Sequence, residues 1–192
     1  MRKKHLFLLL ILSICIGLLS FTQHWQGQKW FTKTGTVSFF SHTNLEDIKA
    51  KTSQATVIFD ASTGEFNTKV LIQAFQFKKK LMQEHFNENY MESTKYPEAV
   101  FIGNIANIKS INFTKDTTYR ITCNGKLTMH GVTKDIVCNN GTLKISDNSK
   151  ATIKAQFSVL LKDYNIEKPK LYKNNISDTI EITFESDCKK FN

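Results

Sequence analysis

The chain is poor in residues that break strands and lacks the motifs that carry chemistry. Proline occurs only twice in 192 residues, at Pro97 and Pro169, so few positions are barred to extended structure. No repeat, linker or low-complexity stretch divides the sequence, and the length suits one domain. No C-x-x-C pair occurs, which removes the usual zinc spacing. Glu84-His85 is not followed by a second histidine, so the H-E-x-x-H helix of metalloproteases is absent, as are the G-x-S-x-G, P-loop and dinucleotide fingerprints. His24, His42, His85 and His130 are scattered, with no two at ligand spacing on one expected element. No basic stripe is interleaved with aromatics, which argues against a nucleic-acid partner. Neither a metal nor a cofactor is expected.

The N-terminus follows a different plan from the rest. Arg2, Lys3 and Lys4 precede an apolar run from Leu6 to Leu19. A basic start, an apolar run of roughly 7–15 residues and then polar sequence is the pattern of a secretory signal peptide. The run falls short of the about 20 residues that a spanning helix needs; an uncleaved anchor is the alternative. Residues 1–22 are therefore expected to be removed, with Ser20-Phe21-Thr22 before the cut, leaving 23–192 as the domain. Ile14 rather than a small residue precedes Cys15, which argues against lipidation there. The expected location is periplasmic or secreted. Subtracting the three basic residues from the +9 of the whole chain leaves +6, consistent with solubility or with loose association with an anionic membrane surface.

Beyond the leader, apolar residues mostly recur with a period of two, the mark of half-buried strands. Strands are expected over 35–40, 55–60, 65–77, 99–108, 118–129, 132–138, 151–161 and 178–185. Ala61 to Gly64 reads as a hairpin turn, with Phe66, Val70, Ile72 and Ala74 sharing a face of the return strand. Asn140-Gly141 and Asp147-Asn148 read as further turns. Only 79–90 breaks the pattern: Leu81, Met82, Phe86 and Tyr90 have helical spacing, and Tyr96-Pro97 ends that segment. About eight short strands and a single helix suggest a closed antiparallel barrel or a sandwich.

The hairpin around His130-Gly131 fixes a register. With a two-residue loop, Met129 faces Val132 and Cys123 faces Cys138. A cross-strand disulfide between Cys123 and Cys138 then becomes geometrically thinkable, at a hydrogen-bonded pair with Cα atoms about 5.5 Å apart, where the geometry is prone to strain. Two free thiols on the core face are the alternative. Cys188 has no evident partner. Phenylalanine is abundant, at 15 residues. The excess fits either a well-filled core or an apolar tunnel, since a barrel of eight strands can hold one small ligand.

Three segments resemble the YceI-like family of secreted bacterial proteins: HFNENYMESTKYPEAVFIG (85–103), GKLTMHGVTKDI (125–136) and ISDTIEITFE (176–185). The second, the family's His-Gly-Val-Thr-Lys hairpin, is the most specific. The resemblance spans roughly 35–187. It implies an all-β protein: an extended antiparallel eight-stranded lipocalin-like β-barrel with one α-helix. It also implies a binding protein rather than an enzyme, one that holds an isoprenoid chain or another amphiphile in the barrel. His130, Gly131 and Thr133 match the motif and read as turn architecture.

An apolar small molecule or lipid is thus the expected partner. The candidate binding residues are the core-face side chains Phe39, Phe59, Val70, Ile72, Phe101, Leu127, Met129, Phe157, Val159, Ile180 and Ile182, with Leu81 and Phe86 of the helix. Each has packed core as its alternative role. Lys78 to Lys80 suit either an anionic head group or ordinary surface. A filled barrel acting as an envelope interaction or stress protein is the competing function. An enzyme on a hydrophobic substrate would need a buried His or carboxylate in the tunnel, for which His85 and His130 are the candidates.

Overall fold

A computed structural model describes residues 29–191. The expected signal peptide lies outside them. Eight long strands dominate: β1 (Lys29–His42), β2 (Asp47–Asp60), β3 (Glu65–Leu71), β5 (Glu98–Ile105), β6 (Thr117–Met129), β7 (Val132–Ser146), β8 (Lys150–Leu160) and β9 (Thr179–Lys190), with a two-residue β4 (Gln76–Phe77). Every pairing is antiparallel, in the order β1-β9-β8-β7-β6-β5-β3-β2, and β1 also pairs with β2. The sheet is therefore a closed eight-stranded barrel, which leaves no open edge along the long strands. All eight strands fall within 29–190, so a chain that starts at Gln23 carries the complete folding unit.

The register matches the hairpin arithmetic. Met129 opposes Val132 and Cys123 opposes Cys138. His130 and Gly131 both have positive φ, 52° and 74°, the conformation that a two-residue type I′ turn requires. Asp147 and Asn148 likewise form a turn with positive φ. Asn140-Gly141, expected as a turn, lies inside β7 instead. The ladder slips one place between Ile121 and Cys123, and Ile121 pairs with Gly141. A Cβ on Gly141 would meet Ile121 Cγ1 at 2.8 Å. The Asn-Gly signal here marks an irregular ladder position rather than a chain reversal.

The return strand expected over 65–77 stops at Leu71. A 3₁₀ turn (Ile72–Ala74) changes the phase, so that Phe75, not Ala74, is buried. The chain then leaves the barrel through β4, a six-residue helix α1 (Lys80–His85) and a π-helical turn (Phe86–Tyr90), and returns at Pro97. The excursion begins and ends at one point, where the Ile72 amide donates to the Pro97 carbonyl at 2.9 Å. Met91 N donates to Phe86 O, five residues back. The wider turn lets Phe86, Tyr90 and Met91 all face the barrel interior.

The interior has two parts. At one end Trp30, Val57, Phe59, Ile105, Ile121, Leu143 and Ile145 pack into a floor with hardly any exposure. Trp30 stacks on Phe59 at 5.8 Å between centroids, and Phe113 tilts against both. Each such side chain stabilises the fold by roughly 1.5–3 kcal/mol. Toward the other end, Ile72, Met91, Leu127, Val159, Tyr164, Ile166 and Ile180 form a second cluster, looser and bordered by half-buried aromatics.

Candidate functional site

Above the floor the barrel encloses a cavity of about 420 Å³, within the size range of small-molecule sites. Twelve of the thirteen candidate binding residues line it: Phe39, Val70, Ile72, Leu81, Phe86, Phe101, Leu127, Met129, Phe157, Val159, Ile180 and Ile182. Phe59 does not. It faces inward as its alternation requires, but it lies at the end of β2, locked under Trp30 in the floor. Periodicity gives the face of a strand and not the height along the barrel.

Several lining residues escaped the sequence reading. Phe75 and Phe77 follow the phase change after Leu71, which no local pattern announces. Ile166 and Ile176 come from the long connection between β8 and β9, where no strand or helix period exists. Phe66, which shares the expected face of Val70 and Ile72, also lines the wall, with Ile136 of β7 and Phe184 of β9.

Phe86 is the hub of the upper end. Its ring lies 5.3 Å from that of Phe39, 5.7 Å from Phe75 and 5.0 Å from Phe77. These contacts pin the excursion across the barrel. Aromatic pairs in such tilted and offset arrangements each add about 0.5–1.5 kcal/mol beyond area burial.

Room inside the barrel depends on two glycines. Gly103 pairs with Gly125 across β5 and β6, on the face that carries Phe101 and Leu127 into the cavity. A Cβ on Gly125 would stand 2.6 Å from Phe101 Cζ and 2.5 Å from the Ile102 carbonyl; one on Gly103 would stand 2.7 Å from the same ring. The Phe101 ring therefore lies flat over the bare backbone of both strands, leaving the lumen open beside it.

Polar groups in the lining are few: Glu46, Thr68, Lys79, His85, Tyr90, Asn175 and the thiols of Cys123 and Cys138. Glu46, Lys79 and Asn175 meet at the mouth. Lys79 Nζ donates to Glu46 Oε1 at 2.9 Å, and Asn175 Nδ2 to Glu46 Oε2 at 3.5 Å. The hydrogen bond from Lys79 holds the Glu46 carboxyl below the usual range, with burial opposing it and Asn175 assisting. Lys79 and Leu81 are the exposed members of the lining, so the cavity opens here.

Cys123 and Cys138 are free, buried and directly opposed. The expected candidate disulfide is not formed. The Cα separation of a hydrogen-bonded pair suits a bridge, but the local angle is prone to strain, and both side chains stand as thiols on the core face. Burial, with Cys138 adding a smaller effect, pushes the Cys123 thiol up to about 12, so it carries almost no thiolate at neutral pH.

His130 lies outside the cavity lining. Its Nδ1 donates to the Tyr164 carbonyl at 2.9 Å, its Nε2 stands 3.0 Å from Glu92 Oε2, and Tyr96 packs edge-on at 4.5 Å. The imidazole ties the β6–β7 hairpin to the end of the excursion and to the 3₁₀ turn Leu161–Tyr164.

A closed antiparallel barrel with this hairpin and an apolar interior invites comparison with known proteins. The model of the YceI-like domain matches residues 21–187. The chain belongs to the YceI-like domain family. Three solved structures share the fold. A polyisoprenoid-binding domain from Saccharophagus degradans, implicated in plant cell wall breakdown, superposes with a TM-score of 0.71 at 13% identity, covering 86% of this chain and 100% of that one. BcnA of Burkholderia cenocepacia superposes at 0.62 and 17%, covering 80% and 95%. The YceI protein of Campylobacter jejuni superposes at 0.59 and 16%, covering 79% and 90%. At these identities the likeness is one of fold. No curated protein matches the chain.

Proposed function

We propose that this YceI-like protein is a non-enzymatic carrier, exported to the periplasm or beyond, which holds a polyisoprenoid or similar long apolar lipid in its barrel. The observation that carries this reading is the cavity itself: about 420 Å³, closed in by strands and floored by aromatic core, with its few charged groups at the mouth. Burying apolar chain there gains about 0.8 kcal/mol per methylene-sized group. Few polar contacts are needed, because a closed barrel already satisfies its own backbone hydrogen bonds. The Saccharophagus domain of the same fold is described as polyisoprenoid-binding, which supports the ligand class.

The geometry favours binding over catalysis. Glu46 and Lys79 are paired with one another, His130 is tied into the scaffold, and the Cys123 thiol is deactivated by burial. Among the described residues lining the cavity, no activated nucleophile is joined to a base, the arrangement that covalent chemistry requires. The volume weighs against the filled-barrel alternative. The test is native mass spectrometry of the protein purified from its expression host, followed by organic extraction and lipid analysis. A stoichiometric apolar mass is expected. A clean apo mass that stays unchanged after incubation with isoprenoids and fatty acids would refute the carrier.

A further inference from the structure

We propose that the cavity mouth is a docking surface for an anionic lipid bilayer. Two large apolar side chains stand in water beside the opening: Leu45, 68% exposed, and Leu81, 60% exposed. Leu45 sits at the tip of the β1–β2 loop, next to Glu46. Leu81 follows two residues after Lys79 on α1. The Glu46–Lys79 ion pair at 2.9 Å therefore brings the two elements together. The contact between Asn175 and Glu46 adds the 3₁₀ segment Lys170–Asn175 as a third element of the rim.

Burial does not explain these leucines. Leu127 and Leu143 face inward and are buried, and Leu71, at the end of β3, is less exposed than either Leu45 or Leu81. An exposed apolar tip ringed by cations is the composition of a membrane-surface contact, where apolar side chains enter the interface and lysines meet anionic head groups. The three rim segments (43–48, 77–84 and 170–176) carry five lysines against three carboxylates. Of those carboxylates, Glu46 is neutralised by Lys79, Asp47 lies against His42 at 2.6 Å, and Glu84 lies 3.7 Å from Lys80. Lys78, Lys80, Lys170 and Lys173 are exposed. A bilayer on this rim covers the cavity mouth, so an apolar chain passes between membrane and lumen without crossing water. That purpose rests on the carrier reading; the docking itself does not.

The test is co-sedimentation of the chain from Gln23 with vesicles of phosphatidylcholine, with and without phosphatidylglycerol, at low and high salt. The expected result is binding to the anionic vesicles, weakened by salt, and little to pure phosphatidylcholine. Leu45→Ser should lower anionic-vesicle binding several-fold, and the double variant Lys78→Glu/Lys80→Glu should lower it by about thirtyfold or more. Leu45 is outside the cavity lining, so L45S should retain the wild-type urea midpoint and ligand capture from solution. Equal sedimentation of wild type and both variants overturns the proposal, as does absence of vesicle binding by the wild type. If L45S instead turns a dimer into a monomer in sedimentation velocity, with vesicle binding unaltered, the rim is a self-contact and the bilayer proposal fails. Native mass spectrometry with soluble ligand reads the carrier function separately, so either idea can fail alone.

Discussion

Replacing Thr68 by valine should stabilise the protein, although it deletes a polar atom from a well-formed strand. Thr68 lies on β3 between Phe66 and Val70 on the lumen face, only 8% exposed. Its Oγ1 is sealed from solvent with no hydrogen-bond partner among the described residues. A hydroxyl removed from water without a replacement bond costs about 1–3 kcal/mol. Valine keeps both γ substituents and suits a strand equally well. Thr68→Val is therefore expected to gain about 1–2 kcal/mol, or about 2–4 °C in Tm per kcal/mol for a domain of this size. The assay is equilibrium urea unfolding of the chain from Gln23, with an unchanged m-value as the check that only stability moved. Thr52 supplies a control of opposite sign. It is more deeply buried, but its Oγ1 accepts from the Gln54 amide at 3.2 Å, so Thr52→Val should lose about 0.5–1.5 kcal/mol. If T68V is destabilised as much as T52V, the Thr68 hydroxyl is bonded, and the reading of that wall as apolar is refuted.

Gly125→Ala should both destabilise the barrel, by about 1–3 kcal/mol, and shrink its capacity, because the new methyl group drives the Phe101 ring off the backbone into the lumen; urea midpoints and ligand stoichiometry report the two effects. In the chain from Gln23, Cys123, Cys138 and Cys188 should resist an aromatic disulfide reagent while native and react together once unfolded. Burial pushes Cys123 up to about 12 and Cys188 up to about 11, and rapid labelling of either in the native state would contradict this. Glu46 has a lowered pKa, so its pairing with Lys79 contributes fully above the ordinary carboxylate value of 4.5 and is lost as pH falls through the folded value. Ligand release followed by fluorescence should therefore quicken only below that ordinary value, and Glu46→Gln should remove the acid dependence.

Most of the barrel was legible because its strands are half-buried and alternate. β5, β6 and β8 lie close to where period two placed them, β9 begins there but runs on to Lys190, and the His130-Gly131 turn fixed a register down to Cys123 and Cys138. What stayed hidden depends on three-dimensional context. The early halves of β1 and β2 have exposed or polar positions on both faces, and antiparallel pairing with the late half of the other strand is what makes each of them a strand. The 3₁₀ turn at Ile72 shifts the phase by one residue, which brings Phe75 and Phe77 into the cavity and leaves Ala74 out. Phe59 shows the same limit from the other side: its face was correct, but only Trp30, distant in sequence, decides that it belongs to the floor. Gly103 and Gly125 are unremarkable in the sequence until the register sets them opposite each other under Phe101.

The division between floor and cap predicts where the molecule opens. The β6–β7 and β8–β9 ladders are long and cross-linked by strands on both sides, and the floor beneath them is almost fully buried. The excursion over the mouth has none of this. Helix α1 is six residues long with no buried side chain and no side-chain N-cap, far below the length at which a helix is stable alone. It is held by the Phe86 contacts, by the Glu46–Lys79 pair and by the base bond from Ile72 to Pro97. Amides in such segments open at a lower free energy than those of core ladders. In native-state hydrogen exchange, 80–90 should therefore exchange ahead of 121–129 and 153–159. Phe86→Ala should speed the first group and leave the second nearly unchanged, because the barrel closes without the cap. Uniform exchange through both regions, or equal acceleration of both by F86A, would mean that cap and barrel unfold as one unit, and that the mouth cannot open without unfolding the barrel.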